Sequence, residues 1–377
     1  MVDFANLLRP GDGVLWGQAC AEPQTLVEAF VAQRAALSGC RVFLGSSYSG
    51  LVRPEHADHL RLSSYCGTGT NRALAEAGVL DILPAPYSQL GALLRGKRIA
   101  CDAVFLQVSP PNRRGEYSLG LAVEYLAPAL EAARVVLAEV NDRIPWTYTE
   151  PLLRREDIDL LVETSRAPVR LAYDPPGDRD RAIARHAAAR VPEGATVECG
   201  IGALPNAILA ALRPKAVRYH SGVVCEEARH LGVACLGGVV IGTEALFDWT
   251  RENRNLRLVS SDITHGAASL AALARFVAIN SAVEVDLAGQ VNGELARGSY
   301  VGAVGGALDF ARAANQSPGG LSIIALPASR IVERLSGPVS IPRGEAGVVV
   351  TEHGAADLRG CTLAERERRM RKISESS

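Results

Sequence analysis

Short apolar runs punctuated by glycine and proline recur along the whole chain, and their spacing predicts alternating strands and helices. In the first half, 13–17, Arg41–Leu44, Ala103–Val108 and 135–140 read as strands. The turn 17–23 feeds a helix ending near Ala35, with Pro23 at its first turn, and the glycine-rich turn 66–72 precedes a short helix at 73–77. In the second half a helix is expected at 179–190. A strand and glycine turn then end at Gly202, and a helix follows over 205–212. The stretch 278–292 opens with an apolar run and then alternates Val283, Val285 and Leu287 against Glu284 and Asp286, the period of a half-buried strand. The glycine-punctuated runs 301–310 and 317–327 and the apolar pair Val349-Val350 complete the series. The plan predicts an α/β protein of two similar doubly wound domains facing each other across a cleft. The Pro, Gly and charge of 172–178 place the boundary there, giving domains 1–175 and 176–377.

Composition narrows the class. The 377 residues are 48% apolar, enough for a large core, and 40 basic against 41 acidic residues leave a net charge of −1. Such a balance gives no reason to expect nucleic acid or a membrane as partner. No apolar run approaches the roughly 20 residues of a membrane span. Residues 1–5 show no basic-then-apolar export pattern, and the eight cysteines form no CxxC pair. A cytoplasmic enzyme with reduced thiols is the expectation.

Three stretches carry candidate chemistry. Cys199-Gly200-Ile201-Gly202 is a glycine turn at a helix start, where free N–H groups can hold an anion or a carbonyl oxygen. It lacks the third glycine and downstream acid of a dinucleotide site, which argues against NAD. The loop 109–120, with Ser109, Pro110, Arg113, Arg114 and Gly115, follows a strand at the end where open α/β sheets place ligands. The scattered His and Cys residues suggest no metal site. The charged tail 365–371 reads as a solvated helix face with i,i+4 ion pairs.

Taken in order, 17–23, Gly67 and Gly69 in 66–72, 109–120, 141–147, 278–292, Gly305-Gly306 and Glu352-His353-Gly354 resemble the acetyl-CoA hydrolase/transferase family over nearly the whole chain. The resemblance implies an acyl-CoA substrate, with coenzyme A as the carrier. It also implies a small carboxylate as a possible second substrate, a homodimer, and a site between the two domains. It assigns Gly306, with Gly305, to an oxyanion-holding loop, and puts Asn280, Gln290 and Asp309 around the site. The chain is shorter than its relatives between 327 and 348, where a wall of the CoA channel belongs.

One departure bears on mechanism. Family members attack the thioester with a glutamate in a His-Thr-Glu segment after the glycine turn. The matching stretch here is Tyr219-His220-Ser221-Gly222-Val223-Val224-Cys225-Glu226-Glu227, and a gapless match puts Gly222 at the nucleophile position. A register shift would bring in Glu226 or Glu227 instead. Without the carboxylate no glutamyl-CoA thioester can form. His265 stands where the family has an asparagine near the acyl carbonyl and is a candidate general base, with an ordinary pKa of about 6.5. His220 and Cys225 are further candidates, each also explained as a structural residue. Three functions follow: hydrolysis or another non-transfer reaction of an acyl-CoA, ordinary CoA transfer through Glu226 or Glu227, or acyl-CoA binding without catalysis.

Overall fold

The computed structural model describes residues 2–4 and 6–374; Met1, Ala5 and 375–377 lie outside the described residues, so the export-signal expectation falls partly outside them. Seven strands form a first, wholly parallel sheet: β1 (Gly13–Trp16), β2 (Arg41–Leu44), β3 (Arg61–Ser64), β4 (Leu80–Ile82), β5 (Ala103–Val108), β6 (Val135–Asn141) and β7 (Leu160–Thr164). Their order is β4-β3-β2-β1-β5-β6-β7, with Leu15 opposite both Phe43 and Val104. β5 reads Ala-Val-Phe-Leu-Gln-Val without alternation because it lies mid-sheet, and all six residues are buried.

Eight strands form the second sheet: β8 (Thr196–Cys199), β9 (Arg218–His220), β10 (Cys235–Gly237), β11 (Leu256–Leu258), β12 (Phe276–Asn280), β13 (Leu321–Ala325), β14 (Val348–Thr351) and β15 (Gly354–Asp357). The order is β11-β10-β9-β8-β12-β13-β14-β15, parallel except for the last pair. In each sheet the order turns back beside its first strand, at β1/β5 and at β8/β12. Open α/β sheets bind ligands beyond the carboxyl ends of strands at such a point.

The chain leaves the first sheet after Thr164 and enters the second at Thr196, yet the halves are sewn together. Val123 N–H donates to Gly238 O (2.9 Å), Val240 N–H to Leu121 O (2.7 Å), Tyr87 N–H to Gly305 O (3.0 Å) and Gly67 N–H to Gly302 O (2.8 Å). One apolar cluster runs through both halves.

Two local expectations change. Residues 284–286 form a strand, but in a separate three-stranded sheet with Val291–Asn292 and Ile331–Val332. Its polar positions are buried rather than facing water. Glu284 Oε1 accepts from Asn292 Nδ2, Ser336 N and Oγ, and Gly337 N, while Asp286 accepts from Ala288 N and from Gln290 N and Nε2. The alternation marks carboxylates that tie down loops, which a period-2 pattern cannot separate from a wet face. The run 301–306 is irregular and opens the helix Ala307–Gln316. The tail forms the expected helix, Leu363–Ser374, with Arg371 on Glu367 at 2.8 Å.

Behind the first sheet, Phe105 stacks on Phe4 and meets the edge of Phe30, each with ring centroids 5.6 Å away. Phe105→Ala empties the centre of this cluster and is expected to cost about 3–5 kcal/mol, measured as a lower denaturation midpoint at unchanged slope. A cost below about 1 kcal/mol would show that the cluster does not carry the half.

Candidate active site

The carboxyl ends of both sheets meet at a cavity of about 180 Å³. Gln18 follows β1, and Tyr87 and Glu124 come from later loops of the first half. Across from them stand Glu198 at the end of β8, Gly222 after β9, His265, Asn280 at the end of β12, and Gly306. Among the described residues no Lys or Arg lines the cavity.

The first wall is fixed by Gln18, which uses its whole amide. Its Oε1 accepts from Ser46 N–H (2.7 Å) and the Tyr65 hydroxyl (2.8 Å), and its Nε2 donates to Glu124 Oε2 (2.7 Å) and Tyr87 Oη (3.0 Å). Tyr87 adds a short hydroxyl bond to the same Glu124 oxygen. Glu124 is 2% exposed, and burial without a cationic partner pushes its pKa up to about 7. On the second wall Glu198 accepts from Asn280 Nδ2 (2.9 Å), and burial pushes its pKa up to about 8.

His265 ends the short helix Ser261–Thr264 and shares a 2.8 Å hydrogen bond between Nδ1 and Thr264 Oγ1. Its ring lies between those of Tyr87 (4.6 Å) and Phe310 (4.5 Å). Burial drives its pKa down to about 3, so the imidazole is neutral at pH 7 but a weak base there. That undercuts the general-base role expected of it. A Cβ placed on Gly222 would stand 2.7 Å from His265 Cε1, and one on Gly306 2.5 Å from His265 Nε2. The imidazole occupies the room into which a side chain at 222 would point.

Gly200, Asn280, Gly305 and Gly306 line the same cavity as His265. Other expected residues do not. Cys225 is buried elsewhere, and burial pushes its thiol up to about 11, well short of a thiolate. His220 Nε2 donates to Thr264 O (2.9 Å), and burial lowers its pKa; it supports the turn that carries His265. Glu226 accepts from Thr243 N and Oγ1 (3.1 Å each) and pairs with Arg229, and Glu227 is held by Arg213 Nε (3.1 Å). Gly202 caps the helix Ala203–Leu212, Gly67 sits on the seam, and Gly69 lies against Ser47. Ser109 bonds its neighbour Pro110, Gly115 closes a turn on Asn112, and Arg113 and Arg114 are exposed. The loop 109–120 therefore stays outside the cavity, and its continuation 121–125 is what enters the cleft. Gln290 serves Asp286 in the small sheet. Asp309 accepts from Ser88 N (3.0 Å) and Oγ (2.8 Å) and lines a second cavity behind His265. Glu352 accepts from Ala328 N (2.8 Å), a structural role, and His353 is exposed.

Residues 2–171 match the acetyl-CoA hydrolase/transferase N-terminal domain and residues 242–377 its C-terminal domain. The chain belongs to the acetyl-CoA hydrolase/transferase family. It is 32% identical to a 4-hydroxybutyrate coenzyme A transferase of Clostridium kluyveri over 96% of this chain and 90% of that one. A similarity to an acetyl-CoA hydrolase of Yarrowia lipolytica, 27% identical, covers 70% of this chain and 55% of that one. The crystal structure of RipA from Yersinia pestis superposes with a TM-score of 0.93 at 25% identity, covering 99% of this chain and 92% of that one. The protein is thus an enzyme of the acyl-CoA hydrolase/transferase type, built on the fold of the CoA-transferases. Among the described residues no helix is long and apolar enough to cross a membrane, and no three His, Cys, Asp or Glu side chains are grouped to hold a metal.

Gln18, Tyr87, Glu124 and Glu198 escaped the sequence reading. Gln18 and Glu198 lie in stretches singled out for their glycines, and Glu124 stands four residues past Gly120. A glutamate's burial is not written in its neighbours; the signal available was position just beyond a strand end.

The contact of His265 with Gly222 yields a test by paired substitution. Gly222→Ala should destabilise the protein by about 1–3 kcal/mol through overpacking. His265→Asn, which shortens the ring away, should remove most of that cost in the double variant. Additive costs in thermal or denaturant melts would show that the two positions do not share space.

Proposed function

We propose that this enzyme cleaves a small acyl-CoA thioester with water rather than carrying CoA on a glutamate. The observation that supports this reading is His265 seated against Gly222, with no room for a side chain at 222. The acyl carbonyl would lie at the start of the helix Ala307–Gln316, where first-turn N–H groups have no intrahelical partner and stabilise a developing oxyanion. A water's share of liquid volume is about 30 Å³, so a cavity of about 180 Å³ suits an acyl group of a few carbons. The pantetheine and nucleotide parts of CoA would extend outside it. The site would lie between domains 1–175 and 176–377, in a cytoplasmic homodimer.

Transfer through Glu226 or Glu227 is less well supported, since both are engaged outside the cavity. A binder without catalysis would have no use for two acids buried on facing walls of one cavity, an arrangement that costs stability and marks reactive sites.

The test incubates the protein with several short acyl-CoAs, with and without acetate or succinate, and follows products and intact protein by mass spectrometry. Free CoA should appear at the same rate without an acceptor, and the protein should gain no mass. Glu226→Gln and Glu227→Gln should retain this activity. Exchange into the acceptor together with a borohydride-sensitive glutamyl-CoA adduct would restore the transferase reading.

The contact of Gly306 with His265 also changes how the oxyanion loop is tested. Gly306→Ala drives its Cβ into the imidazole, so the variant is paired with His265→Asn. Relative to His265→Asn alone, the pair should lose roughly 10²–10³ in turnover if a Gly306 donor is displaced. Equal turnover in the two would take Gly306 out of the mechanism.

A further inference from the structure

Resting on the hydrolytic reading, we propose that Glu124 is the catalytic base of the cleft, taking the proton from the water that attacks the thioester carbonyl. Among the described residues it is the one buried carboxylate with a fully enclosed oxygen, Oε1, that no donor serves. The structural acids contrast with it. Glu22 accepts from Tyr48 N, Ser49 N and the Ser47 and Ser49 hydroxyls, and Glu139 from Thr25 N, Thr25 Oγ1 and Leu26 N. In Glu124 only Oε2 is anchored, by Gln18 and Tyr87, which aims the carboxyl while leaving a set of lone pairs unused.

The backbone tells the same story. Glu124 has φ +25°, a conformation costly to any side chain, held by Val123 N–H on Gly238 O and by Ser261 N–H on Glu124 O (3.2 Å). The fold bears strain at the residue that places this carboxyl at the seam. Strain of this kind gathers at functional sites.

The groups facing Glu124 leave it as the base. Tyr65, Tyr87 and Tyr125 are buried phenols with pKa values pushed well up, so they stay neutral. Cys66 donates its N–H to Ser64 Oγ (3.0 Å), and Asp262 on the neighbouring turn is paired with Arg95 at 2.6 Å. His265, down near 3, holds a proton too weakly, and Glu198, up near 8, is mostly protonated at neutrality and can serve as an acid. Glu124, near 7, changes charge in the working range of an acid–base catalyst.

In the step, the water oxygen bonds to the acyl carbon as its proton passes to the Glu124 carboxylate. The carbonyl electrons move to an oxyanion at the start of the helix Ala307–Gln316. Collapse breaks the C–S bond, and the proton on Glu124 goes to the leaving thiolate. Acyl-CoA and water become the carboxylic acid and CoA, and Glu124 is returned as carboxylate.

The experiment compares wild type, Glu124→Gln and Glu198→Gln. Wild-type kcat should rise with pH through about 7. Glu124→Gln should lower kcat by roughly 10²–10⁴, leave KM near the wild-type value and lose this acid limb, while Glu198→Gln keeps it. Folding is checked by melting. An acid raised in the folded state stabilises below the ordinary carboxylate pKa, and that stability is lost as pH rises through about 7. Glu124→Gln should therefore melt no lower than wild type above neutrality. A folded Glu124→Gln enzyme with wild-type kcat, or a rise in KM alone, overturns the proposal. An acyl or CoA adduct on the Glu124 peptide overturns it in favour of a nucleophile. Failure of the functional reading looks different: wild type then releases CoA only when an acceptor is present. Carbon-13 NMR of labelled glutamate reads Glu124 independently, as a resonance absent from Glu124→Gln. Titration in the ordinary carboxylate range would overturn the proposal whatever the reaction.

Discussion

Two buried carboxyl groups line one cavity that, among the described residues, no Lys or Arg lines, and the rest of the cleft is arranged around that constraint. An isolated buried carboxylate is expensive, so the fold must either supply donors or keep the proton on. It does some of each. Gln18 and Tyr87 stabilise one oxygen of Glu124, and Asn280 one of Glu198, yet burial still dominates and both acids titrate far above their usual range. The Gln18 amide is itself immobilised by Ser46 and Tyr65, so Glu124 is aimed by a chain of fixed groups rather than by one contact.

The second constraint is steric. Gly222 and His265 lie on different loops after different strands, yet a Cβ added at 222 would stand 2.7 Å from the ring at 265. A side chain at 222 therefore needs the ring at 265 to shift or shrink. The two positions therefore share one space. The same ring also rests against Gly306, so the proposed oxyanion loop and Gly222 pack on one imidazole.

Much of the architecture was legible because parallel strands buried on both faces write themselves as apolar runs between glycine turns, as β5 and β13 do. Gly222, His265, Gly306 and Asn280, brought forward through motif order, line one cavity. Glu284 and Asp286 misled because a polar residue at every second position looks the same whether water or backbone N–H groups satisfy it. Glu226, Glu227 and Cys225 were near in sequence but turned away from the cleft, since only the residues immediately past the end of β9 face it. What position cannot reveal about His265 is its surroundings: Tyr87 and Phe310 enclose the ring, and burial lowers its basicity.

On the proposed hydrolytic reading, glycine at 222 and the raised acids make chemical sense together. A carboxylate nucleophile must be ionised throughout turnover, and a low pKa suits it, because its acyl anhydride and CoA thioester form by displacement rather than by moving protons. Water is different: it attacks only if a proton leaves it, and the leaving thiolate then has to receive one. A group that holds a proton about half the time near pH 7 serves both halves of that exchange. Raising the pKa of Glu124 would cripple it as a nucleophile while fitting it as a proton carrier. Its environment, buried and, among the described residues, lined by no Lys or Arg, suits that second task.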